Sequence, residues 1–531
     1  MTTKKYHEKI TKIRRKLSVY RPDSFLKHVI DHLHWSQIQD VPASGMPWIS
    51  LFLLKLAMQE SNEAGRDMAK AEFGILANKL YRVQHLACPI EHGNLQLMLR
   101  PMILQQAWYQ GEVVSDVKTM TRQMIWYSAE DSPYAERFIK AYGLSLKEFY
   151  LISLYLDILV ADKAHGIVGI NLYQLIFNLT PSIPLNQIIR YFLLVAVRSQ
   201  DLPAFFNAYR VKGEDKLHQQ SEYFQTTPLR NKPVLLDGEN LLIYNAKLFS
   251  RGVSTLIPDL LKKIPDWNFK DDFGPAMEKY IGSLLAASSI EHLSEDDLKE
   301  CCRKSNVPRG KMADYLIPGN VNIILESKAI EPGDIVSSVF NPKILRSHLQ
   351  KNFIKGIEQC QESIKRLRLT KEYSHANFAC VVVTHEDFWF ASADEISKYV
   401  DPELEARVQE AHGCIPLPFS NILFITIDAV ESIFEAVSKG DIDLGSFLED
   451  CIETLATPEG KRFTMSHLIQ DKLAGKMSGH SIIKQKADEW HDYFQSDMDA
   501  NRVAWQGQPA ELIRQRMVVL EVLHRQFNRL G

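Results

Sequence analysis

The apolar positions of residues 1 to about 228 recur at helical intervals. Phe73, Leu76, Leu80 and Val83 lay one stripe along a helix. Tyr6, Ile10, Ile13 and Leu17 do the same at the N-terminus, interleaved with Lys4, Lys5, Lys9, Lys12, Arg14, Arg15 and Lys16, so a basic amphipathic helix is expected there. Pro42, Pro47, Pro89, Pro101, Pro181, Pro184 and Pro203 cut this half into many helices without a repeat period. Only helices are expected before residue 228.

The pattern then changes. From Pro228 to Ser250 it reads as a short β element, with Val234 to Leu236 and Leu241 to Tyr244 flanking the turn residues Asp237 and Gly238. After a loop around Pro265 and Trp267, the spacing of Phe273, Met277, Tyr280, Ile281, Leu284 and Leu285 predicts an amphipathic helix capped by Asp271 or Asp272. Ser294 and Asp297 form a capping-box signal. Ala313 to Ile317 and Val321 to Ala329 read as strands, Lys343 to Lys371 as a long basic helix, and Phe378 to Thr384 and Ile422 to Ile427 as buried strands. The last runs into a helix with Asp428 as its cap. Beyond about 441 the texture is helical again, ending in the amphipathic stretch Glu511 to Leu530. The expected organisation is a helical region over 1–228, a β bridging element over 229–265, an α/β core over 266–440 and a helical region over 441–531.

At 531 residues, with 45% apolar and 24% charged residues, the chain reads as a globular protein of two to four domains. Its formal charge of -3 says nothing about a polyanionic partner, so clustering of charge has to be weighed instead. The seven cysteines show no C-x-x-C pair and no accompanying His ladder, which fits a reducing, cytoplasmic setting. No apolar h-region follows the basic N-terminus, and the most apolar runs, such as Ile188 to Val197, are about half the length that spans a bilayer, so no membrane segment is expected.

Chemistry concentrates between Lys311 and Ala329, where Asp314, Glu326 and Lys328 interrupt apolar strand residues. Alternation puts Glu326 and Lys328 on one face. An odd-numbered loop, such as Pro318-Gly319-Asn320, would set Asp314 opposite Ile324 and diagonal to Glu326, with all three side chains sharing a face. A two-residue Pro-Gly loop would turn Asp314 to the other side. Two adjacent carboxylates suit Mg2+ or Mn2+ rather than zinc. Such a metal polarises a phosphodiester and lowers the pKa of bound water, while Lys328 beside it orients or deprotonates that water. Glu278, on the preceding helix, is a third candidate for the metal or water shell. The plain alternative is an edge-strand salt bridge of Asp314, Glu326 and Lys328, with Glu278 an exposed helix-face carboxylate.

Asp314 followed by Glu326-Ser327-Lys328 resembles the motif of the PD-(D/E)XK nuclease superfamily, over about residues 270 to 440. The resemblance implies a restriction-endonuclease-like α/β core. The stretch Gly274-Pro-Ala-Met-Glu278-Lys-Tyr-Ile-Gly282 corresponds to the family's acidic helix, and Lys355-Gly-Ile-Glu-Gln359 to the helix that presents a glutamine to the site. The proline that names the motif is replaced here, with Met312 and Ala313 preceding Asp314. Helical arrays on such cores are similar to those of bacterial phage-defence nucleases. The implied activity is Mg2+-dependent phosphodiester hydrolysis, of DNA in preference to RNA. The N-terminal half would then sense a protein or phage trigger, and a homodimer, with the C-terminal helices as its interface, is allowed.

The stretch from Asn341 to Lys371 carries Lys343, Arg346, Lys351, Lys355, Lys365, Arg366 and Arg368 on one side and the apolar stripe Phe353, Ile357, Cys360, Ile364 and Leu367 on the other. These cations suit a phosphate backbone, although a charge run also serves simply as a solvated face. Glu459-Gly-Lys461 repeats Glu-x-Lys but reads as surface loop, and His385-Glu386-Asp387 reads as loop chemistry rather than a metal cluster. Phosphate-loop, Gly-x-Ser-x-Gly and His-Glu-x-x-His patterns are absent, so ATP-driven and serine-hydrolase readings lack support. An RNase on the same core, for example one cleaving tRNA, and a non-catalytic nucleic-acid-binding or interaction protein stay open as alternatives.

Overall fold

The computed structural model describes residues 2–38, 46–60, 62–88, 94–110, 112–128, 132–161, 166–210, 220–329 and 333–530. The expected breaks at Pro42 and Pro89 lie outside the described residues. Most of the chain is helical, with two small mixed sheets. It divides into two compact units: Met1–Glu91, Met102–Trp267 and Lys486–Gly531 form unit 1, and His92–Pro101 with Asn268–Gln485 form unit 2. The stretch after residue 441, expected as one helical region, is therefore shared between the units.

In unit 1 the N-terminal helix Thr2–Leu17 buries Tyr6, Ile10, Ile13 and Leu17, the three aliphatic side chains each worth about 1.5–3 kcal/mol of burial. The expectation of helices alone before residue 228 is corrected here. Strands β1 (Val168–Gly169) and β2 (Ala196–Arg198) join β3 (Val234–Asp237) and β4 (Asn240–Ile243) in the order β1-β4-β3-β2. The hairpin expected as a bridge is thus the middle of a sheet, β4 antiparallel to β1 and β3, and β3 parallel to β2. Its two-residue turn is Gly238-Glu239, where Gly238 supplies the positive φ of 55° that a tight hairpin requires. Ser250, expected within the β element, lies in the helix Ala246–Leu261. The C-terminal helix Pro509–Leu530 packs against helices Leu172–Leu179 and Leu185–Val195, and Arg198 holds its end through Asn528 and the carbonyl of Phe527.

Unit 2 has helix Phe269–Ala287 and a five-stranded sheet ordered β5-β6-β7-β8-β9, from Leu293–Ser294, Tyr315–Ile317, Asn322–Lys328, Phe378–Thr384 and Ile422–Thr426. β5, β6 and β7 run antiparallel in turn, and β7, β8 and β9 are parallel. Parallel neighbours need crossovers, and these are the helices of residues 342–368 and 393–412. The basic helix is present and runs without a break from Pro342 to Arg368. A π turn at Gln350–Ile354 lies within it, between Pro342–Leu349 and Lys355–Arg368, where both Phe353 and Ile354 are buried.

The caps differ from expectation at two helices. Asn268 precedes the first, leaving Asp271 and Asp272 in its first turn, and the Thr426 side chain rather than Asp428 caps Ile427–Ser438 by accepting from the Ala429 N–H. The Ser294/Asp297 capping box is present, with backbone N–H bonds of 2.9 and 3.3 Å. Ile324, Ile357, Cys360, Ile364, Cys380 and Val382 form the core between helix Lys355–Arg368 and the sheet. Cys360 and Cys380 are disulfide-bonded within it, a pairing that cysteine spacing did not suggest.

Candidate active site

β7 is the central strand of the unit 2 sheet, so the edge-strand alternative for Glu326 does not hold. The strand alternates regularly. Ile324 enters the core on the side of helix Lys355–Arg368, and Glu326 and Lys328 follow on the same side. Gly356 confirms the placement of Lys328, because a Cβ there would stand 3.4 Å from Lys328 Cε.

The β6–β7 register pairs Tyr315 with Leu325, Leu316 with Ile324 and Ile317 with Ile323. One step further, Asp314 comes opposite Glu326 itself. The expected partner Ile324 is thus wrong by two residues, since the connection is longer than Pro318-Gly319-Asn320, but its parity is odd and the shared face follows. Asp314 is anchored there by the Ser327 backbone N–H, which donates to Oδ2 at 2.6 Å.

Glu326 is 1% exposed. Its Oε1 accepts from Lys328 Nζ, and Oε2 is buried without a hydrogen-bond partner. Burial first, then the Asp314 charge, pushes Glu326 up to about 8, against the opposing pull of Lys328. Burial likewise raises Asp314, opposed by its bonds to Ser327 and by Lys328. Glu278 is half-buried and raised by burial and by Asp314, so it lies within electrostatic reach of the pair. Its backbone carbonyl accepts from the Tyr315 hydroxyl at 3.1 Å, which ties its helix to β6. That approach needs Gly282: a Cβ there would lie 2.5 Å from the Tyr315 oxygen.

Gln359 stands one helical turn beyond Gly356, half-buried at the margin of the face that meets the sheet, and its Oε1 is buried without a hydrogen-bond partner. No hydrogen bond among the described residues joins it to Asp314, Glu326 or Lys328. Glu295 was not anticipated. At the start of helix Glu295–Lys304 it pairs with Lys299 at 2.8 Å and raises both Glu278 and Asp314. Its place after the capping serine Ser294 was the available signal. Among the described residues no three His, Cys, Asp or Glu side chains gather closely enough to hold a metal ion. The carboxylates that can contribute ligands are therefore Asp314 and Glu326, with Glu278 farther out. Mg2+ is commonly held by one or two carboxylates, with waters and substrate phosphates completing its shell.

The basic residues divide. Arg346 is engaged with Asp401 and Glu403, Lys365 with the His412 carbonyl, and Arg366 with Glu362 and the carbonyls of Pro308 and Arg309. Arg368 lies over the Phe378 ring at 6.0 Å. Lys343, Lys351 and Lys355 are exposed and, among the described residues, unpaired. Of the seven expected phosphate-facing cations, Lys343, Lys351 and Lys355 are thus the unengaged lysines, and Arg368 is exposed with only the ring contact.

Both dismissed patterns sit where expected. Glu459 and Lys461 are exposed in a turn, and Asp387 accepts from the Trp389 N–H and the Thr464 and Ser466 hydroxyls while His385 meets the Phe273 ring. No helix among the described residues is long and apolar enough to cross a membrane. No family model matches the chain, and neither a curated protein nor a solved structure matches it.

Proposed function

We propose that unit 2 is a restriction-endonuclease-like core and that the protein is a Mg2+- or Mn2+-dependent nuclease, cutting DNA by preference. The carrying observation is Glu326, a carboxylate buried in a central strand, with one oxygen on Lys328, the other unpaired, and Asp314 opposite it in the register. Burying a carboxylate costs several kcal/mol unless something answers its charge, and a lysine on one oxygen leaves the other unanswered. This donor set fits a hard divalent cation, which Asp314 and Glu326 would hold with Glu278 in support. When bound, that ion would supply charge neutralisation at the scissile phosphate and a more acidic water.

The chain's own residues do the rest. The Ser327 N–H holds Asp314 at Oδ2, which limits rotation of its carboxylate. Lys328 lies beside both acids and stabilises the extra negative charge as the water oxygen bonds to phosphorus, the ester oxygen leaves, and the proton lost by the water is made good on the leaving oxygen through solvent. The unpaired Oε1 of Gln359 is an acceptor suited to orienting that water. Lys343, Lys351 and Lys355 attract the backbone. A role in antiphage defence belongs to the same proposal and rests on the resemblance of domain order.

A second reading, a nucleic-acid-binding protein without catalysis, is favoured by one observation: no three potential ligands cluster among the described residues. Cleavage of plasmid DNA, single-stranded DNA and total tRNA with Mg2+, Mn2+ or EDTA separates the readings, comparing wild type with Asp314→Ala and Lys328→Ala. Metal-dependent cutting lost in both variants is expected. Cutting that survives both substitutions overturns the site, preferred cutting of tRNA changes the substrate to RNA, and binding without cutting favours the second reading.

A further inference from the structure

Helix Thr2–Leu17 has two faces with different fates. Tyr6, Ile10, Ile13 and Leu17 are buried in unit 1. Lys5, Lys9, Lys12 and Lys16 are exposed, and among the described residues none has an ion-pair partner. Arg14 on the same helix is engaged, 2.8 Å from Glu60. At 3.6 residues per turn the four lysines fall within about 60° of arc and rise about 16 Å along the axis. They form one row, not a ring. Glu8 is the helix's single acid.

The row is extended by a neighbour. Lys79, exposed on helix Lys70–Tyr81, which packs against the N-terminal helix, comes close enough to Lys16 to be held below the ordinary lysine value by that ammonium. Two cations brought together at a surface repel unless an anion lies between them.

We propose that this row binds the phosphate backbone of a nucleic acid. A compact anion would engage one or two of these lysines, whereas rises of about 4.5–6 Å between successive members suit a chain of phosphates. The arrangement opposes a membrane-surface role, because the apolar face that an interfacial helix inserts among acyl chains is already buried in the protein. No base-reading group is needed, so binding is independent of sequence.

The test is fluorescence anisotropy of the full chain with a short fluorescein-labelled DNA duplex in EDTA, so that binding is read without cleavage and whether or not the nuclease reading holds. A K5Q/K9Q/K12Q/K16Q variant changes only exposed side chains, and circular dichroism checks that it folds. The expected result is affinity at least tenfold weaker, with the slope of log affinity against log salt reduced by about 3–4 between about 50 and about 200 mM salt. Equal affinity and equal slope in wild type and variant overturn the proposal. So does binding of the wild type to phosphatidylserine vesicles with none to the duplex, which would make the row a lipid-headgroup surface.

Discussion

Gly356 and Lys328 divide one space between them: a Cβ on Gly356 would stand 3.4 Å from Lys328 Cε and 3.3 Å from Val382 Cγ1. Gly356→Ala therefore moves the lysine stem by a few tenths of an ångström. Alanine is the better helix former by about 1 kcal/mol, which offsets the crowding, so stability should change by less than about 1 kcal/mol. Turnover should fall about tenfold or more, because the displaced ammonium no longer meets the developing charge. Steady-state kinetics beside thermal melting checks the split, and equal loss of both would assign Gly356 to packing alone.

Gly282 and Tyr315 predict a stability effect instead. Gly282→Ala places a methyl group 2.5 Å from the Tyr315 oxygen and breaks the bond to the Glu278 carbonyl, at an expected cost of about 1–3 kcal/mol in urea unfolding. Tyr315→Phe alone should cost about 1 kcal/mol. In the double variant the two losses should sum to less than their separate values, since the phenylalanine removes the atom that clashes.

Glu326 links stability to pH. Its proton is lost at about 8 in the folded chain, against an ordinary 4.5. Between these values the native state holds a proton that the unfolded state has released, so this contribution is complete below about 4.5 and lost as pH rises to about 8. Glu326→Gln should flatten the stability profile over that window and abolish cleavage. In the wild type, Mg2+ competes with the same proton, so apparent Mg2+ affinity should rise with pH up to about 8. Denaturant melts and metal titrations across the range test both statements.

The basic residues around helix Lys355–Arg368 should separate into two kinds. Lys343→Ala, Lys351→Ala and Lys355→Ala together should weaken DNA binding and lower the salt slope by about 2–3, with little change in melting. Arg366→Ala should destabilise the loop whose carbonyls it holds, by about 1–2 kcal/mol, with a smaller effect on the salt slope. A slope that falls as much for Arg366→Ala as for the triple variant would contradict this division.

The legible parts of the fold were those with long apolar runs. Phe378 to Thr384 is a strand with the bounds its composition indicates, because every residue is buried and no turn former interrupts it. Asp314, Glu326 and Lys328 stood out because charge in such a context is costly. Parity of the β6–β7 connection could be reasoned, but its length could not, hence the register error of two. β1 and β2 are two and three residues long, too short to show a period, and depend on β4 and β3 for their existence. Arg346 looked like part of a phosphate face because its partners Asp401 and Glu403 are remote in sequence.

Unit 1 closes with Lys486–Gly531, whereas unit 2 is complete once Gln485 has been added. During synthesis the ribosome thus releases every residue of the sheet with Asp314 and Glu326 before helix Pro509–Leu530, and with it the partners of Arg198, exists. A nonsense codon just beyond Gln485 would leave the residues of the proposed chemistry encoded in full and unit 1 without its last packing layer.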